Sequence, residues 1–166
     1  MARRRIAKVR VEMVKEKSVY CKTQEISSPE LAAEFARSLY YENKEDELRC
    51  PTKEMMIVCC IDAKSKPLVI EYVSQGTSSS SLVGMKEVFM SAILSNADGI
   101  LCFHNHPSGN PSPSVGDSLM TKKIREAGKL LDIPLRDHII VGDSGYYSYE
   151  EKGVCPWKEE SYETAC

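Results

Sequence analysis

Residues 99–109, Gly-Ile-Leu-Cys-Phe-His-Asn-His-Pro-Ser-Gly, decide how this chain is read. Gly99 to Phe103 is an apolar run, and it ends in His104 and His106, two residues apart. In a β-strand alternate side chains share a face, so both imidazoles point the same way and can reach one ion at about 2.0–2.1 Å. The run then breaks into a loop rich in Pro, Ser and Gly, and Ser114 opens a helix with Asp117 three positions further on. That spacing brings a carboxylate near the two histidines and leaves a fourth tetrahedral position for water, the pattern of a catalytic rather than a structural zinc. Ser114-x-x-Asp117 is also a helix-capping arrangement, with an acid at the positive end of the helix. The two readings do not exclude each other.

The 166 residues suit one domain, large enough to bury a core without staples. The composition, 42% hydrophobic and 28% charged, is that of a globular protein. No apolar run approaches the roughly 18 residues of a membrane span. Arg3, Arg4 and Arg5 resemble the start of a signal peptide, but Lys8, Arg10 and Glu12 interrupt the apolar core it would need. Export is not expected. Seven cysteines without a C-x-x-C pair point to a reducing, cytoplasmic setting with unpaired thiols. A net charge of −2 gives no general attraction to nucleic acid, and the basic cluster in the first ten residues reads as a solvated tail and one polar strand face.

Along the chain, alternation from Ile6 to Val14 predicts a half-buried strand. Ser27-x-x-Glu30, with Pro29 in the first turn, predicts a capped helix carrying Leu31, Phe35 and Leu39 on one stripe. Glu42 to Glu47 reads as a connector, and Met55 to Ile61 as a central strand. Residues 63–67 turn the chain into a second strand, Leu68 to Val73, followed by a serine-rich loop. A helix is expected from Lys86 to Leu94, the histidine-bearing strand from Gly99 to His104, and a helix from Ser114 to Leu131. In that last helix Leu119, Ile124, Ala127, Leu130 and Leu131 are the candidate core residues, and Pro134 stops it. Asp137–Val141 and Tyr146–Tyr149 form a closing hairpin. The polar tail after Gly153 is expected to pack loosely.

His104-x-His106, a seven-residue gap and Ser114-x-x-Asp117 resemble the JAMM signature of the JAB/MPN metalloprotease domain. The words HNHPSG, PSPS, SQGTSSSSLV and GKLLDIPLRDHIIVGDSGYYSYEEKG are similar to the RadC branch of that family. The resemblance implies a single α/β domain of the MPN/JAB (cytidine-deaminase-like) type, a mixed central β-sheet flanked by helices. It would run over residues 27–153, with a basic extension at 1–26 and a tail at 154–166. It further implies zinc held by His104, His106 and Asp117, with Ser114 donating to the tetrahedral oxyanion.

Hydrolysis also needs a base, and two glutamates compete. Glu54 emerges at the edge of a buried strand, in a context similar to that of the JAMM catalytic glutamate. Glu87 lies in a helical stretch, where a salt bridge is the plainer role. Glu54 is the expected base. Cys102 shares the histidine face but sits deeper, so core packing is expected. His138 is expected to be a core histidine bonded to a carboxylate or backbone, with support of the metal ligands as the alternative. Asn105 and Ser108 are expected to shape the loop, with Ser108 also near a substrate chain, and the Ser78–Ser81 run is read as flexible surface.

The expected function is zinc-dependent hydrolysis of amide bonds, peptide or isopeptide, in a peptide or protein substrate. A different class is a DNA-associated accessory module without peptidase activity, since RadC proteins carry a DNA-repair label that their fold does not support. Against it, some 26 residues precede the first expected helix, too few for the helix-hairpin-helix region of longer RadC proteins. Val83-Gly84-Met85-Lys86-Glu87 also departs from the His-Pro-Arg-Glu pattern usual there. A metal-dependent nuclease is the third reading. It often needs two metals or a basic clamp, and no second ligand cluster is visible in the sequence.

Overall fold

The computed structural model describes residues 10–16, 18–19, 23–42, 53–75 and 83–153. Among them, three α-helices and five strands occur in the order α1 (Pro29–Arg37), β1 (Met55–Ile61), β2 (Pro67–Gln75), α2 (Met85–Leu94), β3 (Gly99–Asn105), α3 (Val115–Leu131), β4 (Leu135–Gly142) and β5 (Gly145–Ser148). The strands form one mixed sheet in the order β2-β1-β3-β4-β5. The β2, β1 and β3 neighbours pair antiparallel, β3 and β4 pair parallel, and β4 and β5 close antiparallel. A parallel pair requires a crossover, and α3 fills it. Because that crossover comes directly after the histidine-bearing strand, the start of α3 is delivered to the end of β3.

The central strands are buried on both faces, which is why β1 reads as an unbroken apolar run. Two cores result. On one face α1 lays Ala32, Phe35 and Ala36 against Ile57, Leu101, Phe103, Ile139 and Val141. On the other, α2 and α3 cover Val58, Ile100, Cys102 and Ile140 with Val88, Phe89, Ala92 and Ile124. The chain after α1 continues as a π-helical turn, Ser38–Glu42, which buries Leu39 and Tyr40 against the first core.

Several expectations are corrected. Helix α1 is capped by Ser28, not Ser27: the Leu31 N–H donates to the Ser28 hydroxyl at 3.3 Å, with Pro29 at the first helical position. Residues 10–14, the described part of the expected first strand, carry no strand, and Val11 and Val14 are 65% and 85% exposed. Alternation supplies one apolar edge, but among the described residues no strand pairs with 10–14, and an edge without a ladder does not make a strand. Strand β2 runs on through Gln75, past the expected stop at Val73. In α3, Leu119, Leu130 and Leu131 are exposed instead of core, while Ile124 is buried and Ala127 packs beside it. The connector beyond Glu42, the Ser78–Ser81 run and the tail after Gly153 lie outside the described residues.

Candidate metal centre

His104 projects from the α2/α3 face near the end of β3, and His106 sits just beyond the strand. The loop after it is tied down: the His106 N–H donates to the Val141 carbonyl at 2.9 Å and the Ser144 N–H to the Gly109 carbonyl at 3.3 Å. Two glycines permit this docking. Gly109 has φ +79°, and a Cβ on Gly142 would stand 2.4 Å from the Gly109 carbonyl oxygen. The imidazole of His106 is oriented in turn, because its Nδ1 lies 2.8 Å from the Asn110 carbonyl. A carbonyl can only accept, so Nδ1 carries a proton, and Nε2 is the nitrogen left for the site.

That nitrogen faces Asp117. Nε2 of His106 is 3.5 Å from Oδ2 of Asp117, and Nδ1 of His104 is 3.1 Å from Oδ1. Asp117 is also half of a capping box at the start of α3. Its Oδ2 accepts from the Ser114 N–H at 2.7 Å and from the Ser114 hydroxyl at 2.6 Å, and its own N–H donates back to that hydroxyl at 3.1 Å. The cap therefore uses Oδ2 and leaves Oδ1 directed at His104. Burial works against the Asp117 charge, but the hydrogen bonds from His104, His106 and Ser114 outweigh it and hold the carboxyl well below the usual carboxylate range. The same contact with Asp117 raises His106 above an ordinary imidazole, against the opposing effect of burial.

Glu54 completes the cluster. It is exposed one residue before β1, and one ligand atom each of Glu54, His104 and His106 lie within 4.8 Å of one another. Donors of this kind, two imidazoles with carboxylates beside them, suit a divalent cation. Glu87 stands apart, an exposed residue in the first turn of α2 whose carboxylate lies 3.6 Å from Lys86 Nζ. Cys102 is fully buried in the α2/α3 core.

His138 differs from its expected role as a partner of a carboxylate or backbone group. Its Nδ1 meets the Thr121 hydroxyl at 2.7 Å, and that hydroxyl also donates to the Asp117 carbonyl at 2.7 Å. The ring stacks on Tyr149 at 5.3 Å and lies parallel to His104 at 6.2 Å. Burial, with the neighbouring His104, pushes His138 down to about 3, so it is neutral. Sequence reading missed Thr121. The available signal was its position four residues after Asp117, on the same side of α3.

The mixed sheet with helices on both faces and an acid beside a His-x-His pair defines a JAB/MPN-type α/β domain with a candidate metal site. The RadC-like JAB domain matches residues 26–154, and the chain belongs to that family. It is 44% identical over 109 residues to a UPF0758 protein of Alkaliphilus metalliredigens, covering 66% of this chain and 47% of that one. Similar relatives occur in Thermotoga maritima, 42% identical over 61% of this chain and 46% of the relative, and in Methanosarcina barkeri, 43% identical over 64% and 47%. The match thus spans about half the length of these relatives, whose names state no reaction. Among the described residues no helix is long and apolar enough to cross a membrane.

Proposed function

We propose that this chain is a zinc-dependent hydrolase of amide bonds, acting on peptide or isopeptide linkages in a peptide or protein substrate. The observation that carries the reading is the convergence of Glu54, His104 and His106 within 4.8 Å, with Asp117 against both rings. His104, His106 and Asp117 would hold the ion. Bound there, zinc would supply Lewis acidity, polarising a carbonyl and lowering the pKa of a water to about 7. Glu54, exposed beside the histidines, would take a proton from water and return it to the leaving amine. The Ser114 hydroxyl donates to Asp117 Oδ2, and on this reading its proton would turn toward the developing oxyanion. The Asn110 carbonyl keeps His106 in the tautomer that ligation needs.

The test loads purified protein with zinc and follows cleavage of a fluorogenic peptide library and of ubiquitin-type isopeptide conjugates. Zinc should bind one to one in the wild type and fail to bind in His106→Ala and Asp117→Ala. Glu54→Gln should retain zinc and lose about 10²–10⁴-fold in hydrolysis. Wild-type protein that stays metal-free when titrated, or a Glu54→Gln variant that cleaves as fast as wild type, overturns the reading.

A further inference from the structure

The residue between the two histidines has a task of its own. The β1–β3 ladder runs from Ile61↔Gly99 to Met56↔His104 and stops there. One step beyond, the pairing passes to a side chain. The amide of Asn105, fully buried, accepts the Met55 N–H through Oδ1 at 2.7 Å and donates through Nδ2 to the Lys53 carbonyl at 3.0 Å. An N–H can only donate and a carbonyl only accept, so these partners fix which way the amide faces. The two bonds bracket Glu54: the chain just before it and just after it is tied to one side chain. Tyr40 closes the same junction from the α1 side, its hydroxyl 3.1 Å from the Met55 carbonyl and 2.9 Å from that of Phe103.

We infer that Asn105 is a positioning residue for Glu54, clamping Lys53 and Met55 so that an exposed carboxylate on an unpaired segment is presented to His104 and His106. The parity of the strand makes this possible. His104 faces the α2/α3 side, and Asn105, one residue on, faces the other way toward the strand it clamps. The β1–β2 pairing begins only at Met55↔Gln75, so without the clamp Glu54 would be held by a ladder on one side alone, and catalysis loses sharply when an acid or base is held loosely. The inference deepens the metallohydrolase reading and rests on it for its chemical meaning.

The experiment uses the whole chain as wild type, Asn105→Ala, Asn105→Asp, Glu54→Gln and the Asn105→Ala/Glu54→Gln double variant. In metal-free protein, amide hydrogen exchange at Met55 should quicken at least tenfold in Asn105→Ala, with Ile57, Val58 and Cys59 unchanged. The Glu54 carboxyl ¹³C signal should move toward its free-chain position. Asn105→Asp keeps the acceptor for Met55 and loses the donor to Lys53, so it should move the Glu54 signal with less effect on Met55; it also serves if the alanine variant does not fold. With cobalt as the probe ion, Asn105→Ala should shift the visible spectrum in the direction of Glu54→Gln, and the double variant should match Glu54→Gln alone. The inference is overturned if Met55 exchange and the Glu54 signal stay at wild-type values, if exchange rises uniformly along β1, or if the spectral change of Asn105→Ala adds undiminished to that of Glu54→Gln. Wild-type protein that takes up no cobalt would instead sink the metallohydrolase reading, and the two metal-free measurements would still decide the role of Asn105.

Discussion

On the α1 face of the sheet, buried polar groups are spent on the fold. Asn105 bridges Lys53 and Met55, and Asp137 accepts from the His138 and Glu150 N–H groups and from the Ser148 hydroxyl. Ser148 in turn accepts from the Glu151 N–H. On the α2/α3 face the bonds run toward the site and stop short of completion. His104 and His106 face one carboxylate, and His138 Nε2, fully buried, has no hydrogen-bond partner among the described residues. A buried polar group left unpaired costs about 1–3 kcal/mol, so this face gives up stability that the other keeps. One sheet thus holds a side that fixes shape and a side that gathers the candidate metal site, separated by a single step of strand parity between His104 and Asn105.

The largest break in that contrast comes from neighbours in sequence. Phe103 is fully buried against Phe35, with ring centroids 5.7 Å apart, and Phe103→Ala should cost about 3–5 kcal/mol in chemical denaturation. His104→Ala, one residue later and on the other face, should cost the metal-free protein about 1 kcal/mol, an ordinary substitution. If the site takes zinc, the ion should raise the midpoints of wild type and Phe103→Ala alike, by linkage, and leave His104→Ala unmoved. Equal losses in both variants would show that the two faces do not divide their labour.

Much of this division was legible beforehand, for identifiable reasons. Met55–Ile61 and Gly99–Phe103 are unbroken apolar runs bounded by polar residues, and such runs have few ways to fold except as central strands. His104, His106, Ser114 and Asp117 lie close enough in sequence that a strand, a loop and a helix start bring them together. What stayed hidden depends on contacts between distant segments. Glu54 and Asn105 are 51 positions apart, and nothing local says that the side chain of one extends the ladder beside the other. Tyr40 lies in a π-helical turn, which periodicity cannot distinguish from the end of an α-helix.

Two buried titrating groups on opposite faces sharpen the comparison by pH. Burial raises Asp137 to about 7 in spite of three hydrogen bonds, so between the unfolded value of 3.8 and about 7 the native state holds the extra proton and this group makes stability fall as pH rises. Burial lowers His138 from 6.5 to about 3, so across that window the unfolded state holds the extra proton and stability falls as pH drops. Each slope is at most about 1.4 kcal/mol per pH unit, and between pH 4 and 6.5 they oppose each other. Denaturation midpoints measured across that range should therefore be flat for these groups in the wild type. Asp137→Asn should uncover a rise with pH, and His138→Gln a fall. Identical profiles for the two variants would remove the opposition.

The smallest effect concerns α3, where the buried stripe is Asp117, Thr121, Ile124 and Gly128. The stripe carries the site at its polar start, so hydrophobicity alone selects the wrong side of the helix and counts Leu119, Leu130 and Leu131 as core. Gly128 belongs to it because α3 lies close to the turn that leads into β4: a Cβ there would stand 2.6 Å from the Ile133 carbonyl. Leu130 is 86% exposed, and Leu130→Gln removes almost no buried apolar area while keeping a good helix former. It should change the denaturation midpoint by less than about 0.5 kcal/mol in free energy. Ile124→Ala, fully buried on the stripe, should cost about 2–5 kcal/mol. A Leu130→Gln loss comparable to that of Ile124 would mean that the outer side of α3 is covered in the folded protein, and that the face with the candidate metal site has a second layer above it.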